Sequence, residues 1–328
     1  MKLACVTFTR AGQLLAERLR AALTDEVEMF TAADYQTHLP RIFAAFDGVV
    51  FFAATGIAVR LIAPFLVSKV SDPAVVVVDD LGRYAISLVS GHLGGANALT
   101  RQIAAILNCQ PIITTASDGR GFEALDLWAQ RLQLEIENLH DLKTITALMV
   151  DGQPIQLIAE IPVALDYPQL VAQNPAGRVY VTSQTRLADD VPCCVLRPKN
   201  LYAGVGCRRG TSADGILAAL AQVFDAHQRS LRSLAVLASI DLKHDEPGLL
   251  EAAQRLGVPL RFFPAAVIRR VQAQFAASSF VEAAVGVSGV CEPCAVLAAN
   301  GPLIVGKTIS AGVTVAIAIP TIEQPESV

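Results

Sequence analysis

Charge is scarce in this chain. Asp, Glu, Lys and Arg make up 17% of its 328 residues, whereas 53% are hydrophobic. A chain this apolar is not disordered, and it has no basic stripe of the kind that binds nucleic acid. A net charge of -4 also weighs against DNA, RNA or an acidic membrane as the main partner. A small anion stays in play, because a local pair of arginines outweighs a mildly negative total. Long hydrophobic runs are missing too. The apolar stretch 48–59 is interrupted by Thr55 and Gly56 and ends at Arg60, well short of the roughly 20 residues that span a bilayer. The N-terminus runs straight into strand-like sequence, without the apolar core and small-residue cleavage site of a signal peptide. The seven cysteines are odd in number and irregularly spaced, which suits reduced thiols in the cytoplasm better than a disulfide framework. Cys291-Glu292-Pro293-Cys294 has the spacing of a redox or metal pair, but no second cysteine pair or spaced histidines accompany it. No protein-bound metal is therefore expected. Tandem repeats and low-complexity tracts are absent.

What is present is an alternation of strand and helix patterns. Residues 3–9, 27–30, 48–54, 74–78, 84–89 and 111–115 read as strands, several apolar throughout, as strands covered on both faces are. Helical spacing marks residues 11–23, 57–66, 99–107 and 123–134. From 135 to 200 the pattern weakens, and prolines stand at 154, 162, 168, 175, 192 and 198. The rhythm restarts at 201–205, continues through strands at 234–240 and 260–263, and closes with a hairpin over 303–309 and 313–319. The fold class expected is α/β: two three-layer domains with mostly parallel sheets, over 1–137 and 200–328. A small loop-rich middle module, 138–199, joins them. Ligands of such sheets bind outside the carboxyl ends of the strands. Four polar or glycine-containing loops are expected together on one such edge of the first domain: Thr55-Gly56, Asp79-Asp80, 90–97 and 114–118.

One of these loops, Ser90-Gly91-His92-Leu93-Gly94-Gly95-Ala96-Asn97, sits between a strand and a helix. Its glycines allow a sharp turn and close approach to a ligand. The following helix start is expected to offer free N–H groups to an anion. Histidine is the residue type suited to proton transfer near neutral pH, so His92 suits general acid–base work, a carboxylate contact or a plain polar cap. Asp79, Asp80 and Asp118 at strand ends can act as bases, orient a histidine or cap helices. Gly204-Val205-Gly206-Cys207-Arg208-Arg209-Gly210 invites comparison with the dinucleotide fingerprint, yet its last glycine is one place late. Its arginines suit carboxylates or phosphates better. The bland alternative is a tight turn with two solvated arginines. Cys207 is either activated by that positive setting or simply packed. Arg60 and Lys69 are anion contacts or surface residues.

These blocks together carry a resemblance. Ala54-Thr55-Gly56-Ile57 with Arg60, Lys69 with Asp72-Pro73, the 90–97 loop and Ile113-Thr114-Thr115-Ala116-Ser117-Asp118 occur in the first part. The 204–210 loop and Gly286-Val287-Ser288-Gly289-Val290 with Glu292 occur in the last third. In this order they resemble the cobalamin-biosynthesis CbiG family, the cobalt-precorrin-5A hydrolases, over nearly the whole chain. The middle matches loosely, and Ser117 stands where the family more often has Thr. The resemblance implies opening of a δ-lactone on a cobalt-bound tetrapyrrole and release of carbon 20 with its methyl as acetaldehyde. It makes the chain a hydrolase acting on a carbon–carbon bond. Cobalt arrives with the substrate cobalt-precorrin-5A, so no cofactor is needed. The last third also resembles a stand-alone domain of the aerobic pathway, which keeps a non-catalytic tetrapyrrole carrier as the alternative. A nucleotide-dependent oxidoreductase rests on the imperfect glycine loop alone.

For a carboxylate-rimmed macrocycle, residue type and position nominate His92 as acid–base group, with Asp80 or Asp118 to orient it. Amides of the 91–95 turn would stabilise an oxyanion. Thr55, Gly56, Arg60, Ser90, Gly91, Gly94, Gly95, Asn97, Thr115, Gly206, Arg208, Arg209, Ser288 and Glu292 are nominated to bind substrate. The site is expected between the first and last domains. No nucleic acid or membrane partner is expected, while a homodimer and transient contact with neighbouring pathway enzymes are left open.

Overall fold

The computed structural model describes residues 1–68, 71–92, 94–115, 120–188, 190–276 and 286–321. The chain divides into two compact units. The first holds Met1–Gln130 with Asp166–Pro168, and the second holds Arg131–Leu165 with Gln169–Val328.

The first unit runs β1 (Lys2–Thr7), α1 (Arg10–Ala22), β2 (Glu26–Thr31), α2 (Tyr35–Ala45), β3 (Gly48–Phe52), α3 (Thr55–Ile62), β4 (Ala74–Val78), β5 (Tyr84–Val89), α4 (Ala96–Leu107), β6 (Gln110–Ile112) and α5 (Leu125–Arg131). The strands form one sheet in the order β2-β1-β3-β4-β5-β6. Alternate residues of each strand bury against opposite layers, as a period of two requires. Cys5, Val50 and Val76 pack with Ala16, Leu19, Leu99 and Ile103 of α1 and α4. Val6, Phe51 and Val77 pack with Leu39, Ile42, Ala58 and Ile62 of α2 and α3. Each large apolar side chain so buried contributes about 1.5–3 kcal/mol. Helix α2 is absent from the sequence pattern because Pro40 interrupts it, yet Leu39 and Ile42 hold it to the sheet.

The sheet departs from the parallel expectation at one point, and that point relocates the loops. β1, β2, β3 and β4 are parallel, β5 is antiparallel to β4, and β6 is parallel to β5. Only residues 79–83 separate β4 from β5, whereas a parallel return needs a dozen or more. The Asp79 carboxylate closes the hairpin by accepting the amides of Arg83 and Tyr84 at 2.6 and 2.7 Å. Gly82 turns it at φ +64°. The loops after β3 and β4 (Thr55-Gly56, Asp79-Asp80) therefore lie on one edge. The loops after β5 and β6 (90–97, Thr114-Thr115) lie on the opposite edge. The four do not share an edge.

The second unit begins with β7 (Glu135–Ile136), α6 (Leu139–Val150), β8 (Ile155–Ala159), β9 (Gly177–Val181) and β10 (Cys193–Arg197). These strands form a sheet in the order β7-β10-β9-β8, so the middle segment has a sheet and a helix of its own. Then follow β11 (Leu201–Gly206), α7 (Ala213–Ala226), β12 (Leu234–Ile240), α8 (Pro247–Leu256), β13 (Leu260–Phe263), α9 (Ala265–Val271), α10 (Cys291–Ala299), β14 (Leu303–Ser310) and β15 (Val313–Ala318). Their sheet has the order β13-β12-β11-β15-β14, with β14 and β15 forming the expected antiparallel hairpin. α7 and α8 cover one face through Ile216, Leu220, Leu249 and Ala252. α9 and α10 cover the other through Ile268, Cys294 and Ala298. No described helix is long and apolar enough to cross a membrane.

Candidate functional site

The 90–97 loop is built by contacts that explain each of its small residues. Strand β5 ends and Ser90 turns the chain at φ +58°, a left-handed conformation unusual for serine. A Cβ on Gly94 would lie 2.3 Å from Ser90 Cβ, and one on Gly91 would lie 2.9 Å from Asn97 Oδ1. Gly95 enters α4 at φ +85°. Asn97 is buried, and its side chain is fixed at both ends: Ser87 Oγ donates to its Oδ1 at 2.7 Å, and its Nδ2 donates to Thr115 Oγ1 at 2.9 Å. Ser87 belongs to β5 and Thr115 follows β6, so Asn97 joins two strand ends. The Ser90 hydroxyl is buried and has no hydrogen-bond partner among the described residues, a state rare in folded proteins and concentrated where a ligand or strain explains it.

The expectation of an open helix end is corrected here. The amides of Gly95, Ala96 and Asn97 donate to the carbonyls of His92, Ser90 and Gly91 at 2.8, 3.0 and 2.9 Å. Of the 91–95 amides nominated for an oxyanion, that of Gly95 is engaged inside the loop in this conformation, as are the two that follow it.

His92 is half-buried, and its Nδ1 lies 3.6 Å from Asp126 Oδ1. Asp126, on α5, is buried. Asp80, one of the two acids nominated as a partner for His92, does not take this place. Asp80 accepts a hydrogen bond from the Thr9 hydroxyl, across the sheet edge opposite His92, because β5 reverses direction. Asp118, like Lys69 and Ser117, lies outside the described residues. Asp126 has a weak signal in sequence: a lone acid between Leu125 and Leu127, just before Trp128. Its neighbours bury it, which acids rarely tolerate unless paired.

Thr55 starts α3 on the other edge and is half-buried, with Gly56 and Arg60 exposed. A Cβ on Gly56 would meet nothing within 4 Å, so this glycine leaves open space at the helix start.

In the second unit the 204–210 loop follows β11. The first glycine serves packing: a Cβ on Gly204 would lie 1.8 Å from the Cys291 carbonyl oxygen of α10. Gly206 accepts from the Thr314 hydroxyl at 3.1 Å, and its face looks toward Val290. The loop after β11 and the start of α10 are thus neighbours. Ser288 is half-buried and donates its amide to Gln272 Oε1 at 3.0 Å. Glu292 stands in the first turn of α10, where its Oε1 accepts the Lys307 amide at 3.1 Å. Burial pushes the Cys207 thiol up despite the nearby Lys243, and burial raises Cys291 as well. Burial also drives Cys294 far above the ordinary thiol range. None of these three thiols has the depressed pKa of a reactive cysteine.

An α/β protein with polar strand-end loops in both units is thereby defined. Three family models match it in succession: the cobalamin synthesis G N-terminal region over 37–118, the cobalamin biosynthesis central region over 123–198, and the cobalamin synthesis G C-terminus over 201–318. The cobalt-precorrin-5A hydrolase of Salmonella typhimurium is 35% identical, covering 97% of each chain. That of Priestia megaterium is 32% identical, covering 89% of this chain and 83% of its own. Protein CobE of a Sinorhizobium species is 34% identical over 38% of this chain and 84% of its own. The chain belongs to the cobalamin synthesis G (CbiG) family.

Proposed function

We propose that this chain is a cobalt-precorrin-5A hydrolase of cobalamin biosynthesis. The observation that carries the reading is the relative of that name, 35% identical across 97% of both chains. The substrate class is a flat macrocycle rimmed with carboxylates, with cobalt already bound in it. Water adds to the carbonyl of the ring-A acetate δ-lactone, and His92 takes the proton. The carbon–oxygen bond then breaks, leaving a free acetate on ring A and an oxygen on the carbon-20 fragment. That oxygen becomes the aldehyde oxygen as the bond between carbon 20 and the ring breaks; the electron pair of that bond stays on the macrocycle, which takes up the proton held by His92, and acetaldehyde departs. Asp126 stabilises the imidazolium formed during proton transfer, the role of the acid in a histidine–carboxylate pair. Arg208 supplies a cation for a peripheral carboxylate. Reduced cysteines suit a cytoplasmic setting for this step, and the reaction needs no resident metal or organic cofactor.

The test is direct. Purified protein is mixed with cobalt-precorrin-5A, acetaldehyde is measured with a coupled alcohol dehydrogenase, and the ring spectrum is followed. Stoichiometric acetaldehyde with a shifted spectrum is expected. Tight binding with no acetaldehyde would replace the hydrolase by a tetrapyrrole carrier. The match to CobE over 38% of the chain favours that second reading, since that much of the chain exists almost as a protein by itself.

A further inference from the structure

The arginine loop of the second unit is held by a buried acid that the proposed reaction does not use. Glu246 stands at the start of α8 and is 1% exposed. One carboxylate oxygen accepts the Gly210 amide at 2.8 Å, and the other meets the Lys243 ammonium at 3.2 Å. Gly210 turns the loop at φ +78°. The first turn of α8 presses on the same loop, where a Cβ on Gly248 would lie 2.0 Å from the Thr211 carbonyl oxygen. The two arginines then part company. Arg209 pairs with Asp245 at 3.3 Å and donates to the Leu242 carbonyl at 3.2 Å. Arg208 is exposed, and its side chain makes no hydrogen bond or ion pair among the described residues. Lys243 neutralises Glu246, and Asp245 neutralises Arg209, so the charge of Arg208 is left uncompensated.

A buried ion pair is weak support for stability, since apolar replacements of similar volume are often as stable. Its better-attested use is to fix one geometry. We infer that Glu246 is a positioning residue: through the Gly210 amide it sets the loop from which Arg208 meets a ligand carboxylate. Arg209 ties the loop down instead of binding. This rests on the reading of a carboxylate-rimmed macrocycle as ligand, and it divides a pair that residue type alone treats as equivalent.

The experiment is a double-mutant cycle on the full chain. Affinity is read by absorbance titration with uroporphyrin, an octacarboxylic tetrapyrrole, and KM and kcat are read with cobalt-precorrin-5A. Arg208→Ala and Glu246→Ala are each expected to weaken binding about 10-fold, in line with loss of one charge-assisted contact. The double variant is expected to bind no more weakly than Arg208→Ala, with kcat within about twofold throughout. A merely structural Glu246 would give additive losses, which overturns the inference, as does unchanged affinity in Glu246→Ala. Should Glu246→Ala not fold, Glu246→Gln keeps an oxygen for Gly210. Combined with Arg208→Ala it must again add no loss, and an additive loss overturns the inference. Unchanged affinity in Arg208→Ala removes the clamp and the inference with it. Intact affinity with no acetaldehyde in the wild type removes only the hydrolase reading.

Discussion

The Nδ1 of His92 lies 3.6 Å from the carboxylate of Asp126, on the sheet edge opposite Asp80. A carboxylate held against Nδ1 fixes the tautomer that leaves Nε2 as the proton acceptor. Asp126→Asn keeps the shape but removes the charge. Turnover of cobalt-precorrin-5A is expected to fall by about 100-fold or more, within the range general acid–base catalysis supplies. KM should stay nearly constant, and Asp126→Glu should restore part of the rate. Steady-state kinetics decide it; equal rates in wild type and Asp126→Asn would remove Asp126 from the mechanism.

Ser90 presents a separate test, because its hydroxyl is buried, has no partner among the described residues and is mounted on a left-handed residue. Removing an unsatisfied buried hydroxyl has little net effect on stability, or improves it. Ser90→Ala should therefore melt within a few degrees of wild type while losing most of its activity, if that hydroxyl meets the substrate. Ser90→Gly should stabilise by roughly 1 kcal/mol, as the left-handed penalty of a Cβ is relieved. Thermal melts beside acetaldehyde assays give both numbers. An active, more stable Ser90→Gly enzyme would show that the hydroxyl is dispensable.

The layers of the fold were readable from the chain because continuously apolar runs such as 74–78 have one use, burial on both faces. The direction of β5 was also within reach, since five residues between two strands permit only a hairpin. Reading β5 in the same direction as β4 puts four loops on one edge and offers Asp80 to His92, although the hairpin places the two on opposite edges. Asp126 was hidden for a physical reason. A helix periodicity shows that residues 125–131 have an apolar face, but not that its one acid reaches a loop more than thirty positions earlier. Glu246 was hidden likewise, because Asp245-Glu246 ahead of Pro247 reads as an ordinary helix start. Its burial arises from packing of α8 on a loop 36 residues away. The His92 and Arg208 loops stood out because glycine and charge at strand ends are local signals, whereas partner acids are tertiary ones.

Gly204 separates the packing role of the glycine loop from a nucleotide role. With its Cβ position 1.8 Å from the Cys291 carbonyl oxygen, Gly204→Ala forces α10 off the sheet. A loss of at least about 3 kcal/mol is expected, at the upper end of overpacking effects. Chemical denaturation measures it. Titration of the wild type with NAD and NADP is expected to show no binding, since the glycines serve helix packing and the loop turn. Saturable nucleotide binding lost in a folded Gly210→Ala variant would revive the dinucleotide reading.

Glu160 makes stability depend on pH at the seam between the two sheets of the second unit. Its Oε2 accepts the Ser183 amide and hydroxyl at 2.7 and 2.8 Å, and its Oε1 pairs with Arg229 at 3.3 Å. Burial alone would raise this carboxyl. The hydrogen bonds from the Ser183 amide and from the Thr182, Ser183 and Gln184 side chains outweigh burial and hold it below the usual range. A carboxyl depressed on folding stabilises the native state above its unfolded pKa, and that stability is lost as pH falls through the folded value. The contribution should therefore be complete at pH 7 and begin to fade below roughly pH 4.5. Glu160→Gln is expected to melt several degrees lower than wild type at pH 7, with the gap narrowing steadily toward pH 3. A gap that stays constant from pH 7 to pH 3 would mean that the charge of Glu160 does not hold the seam.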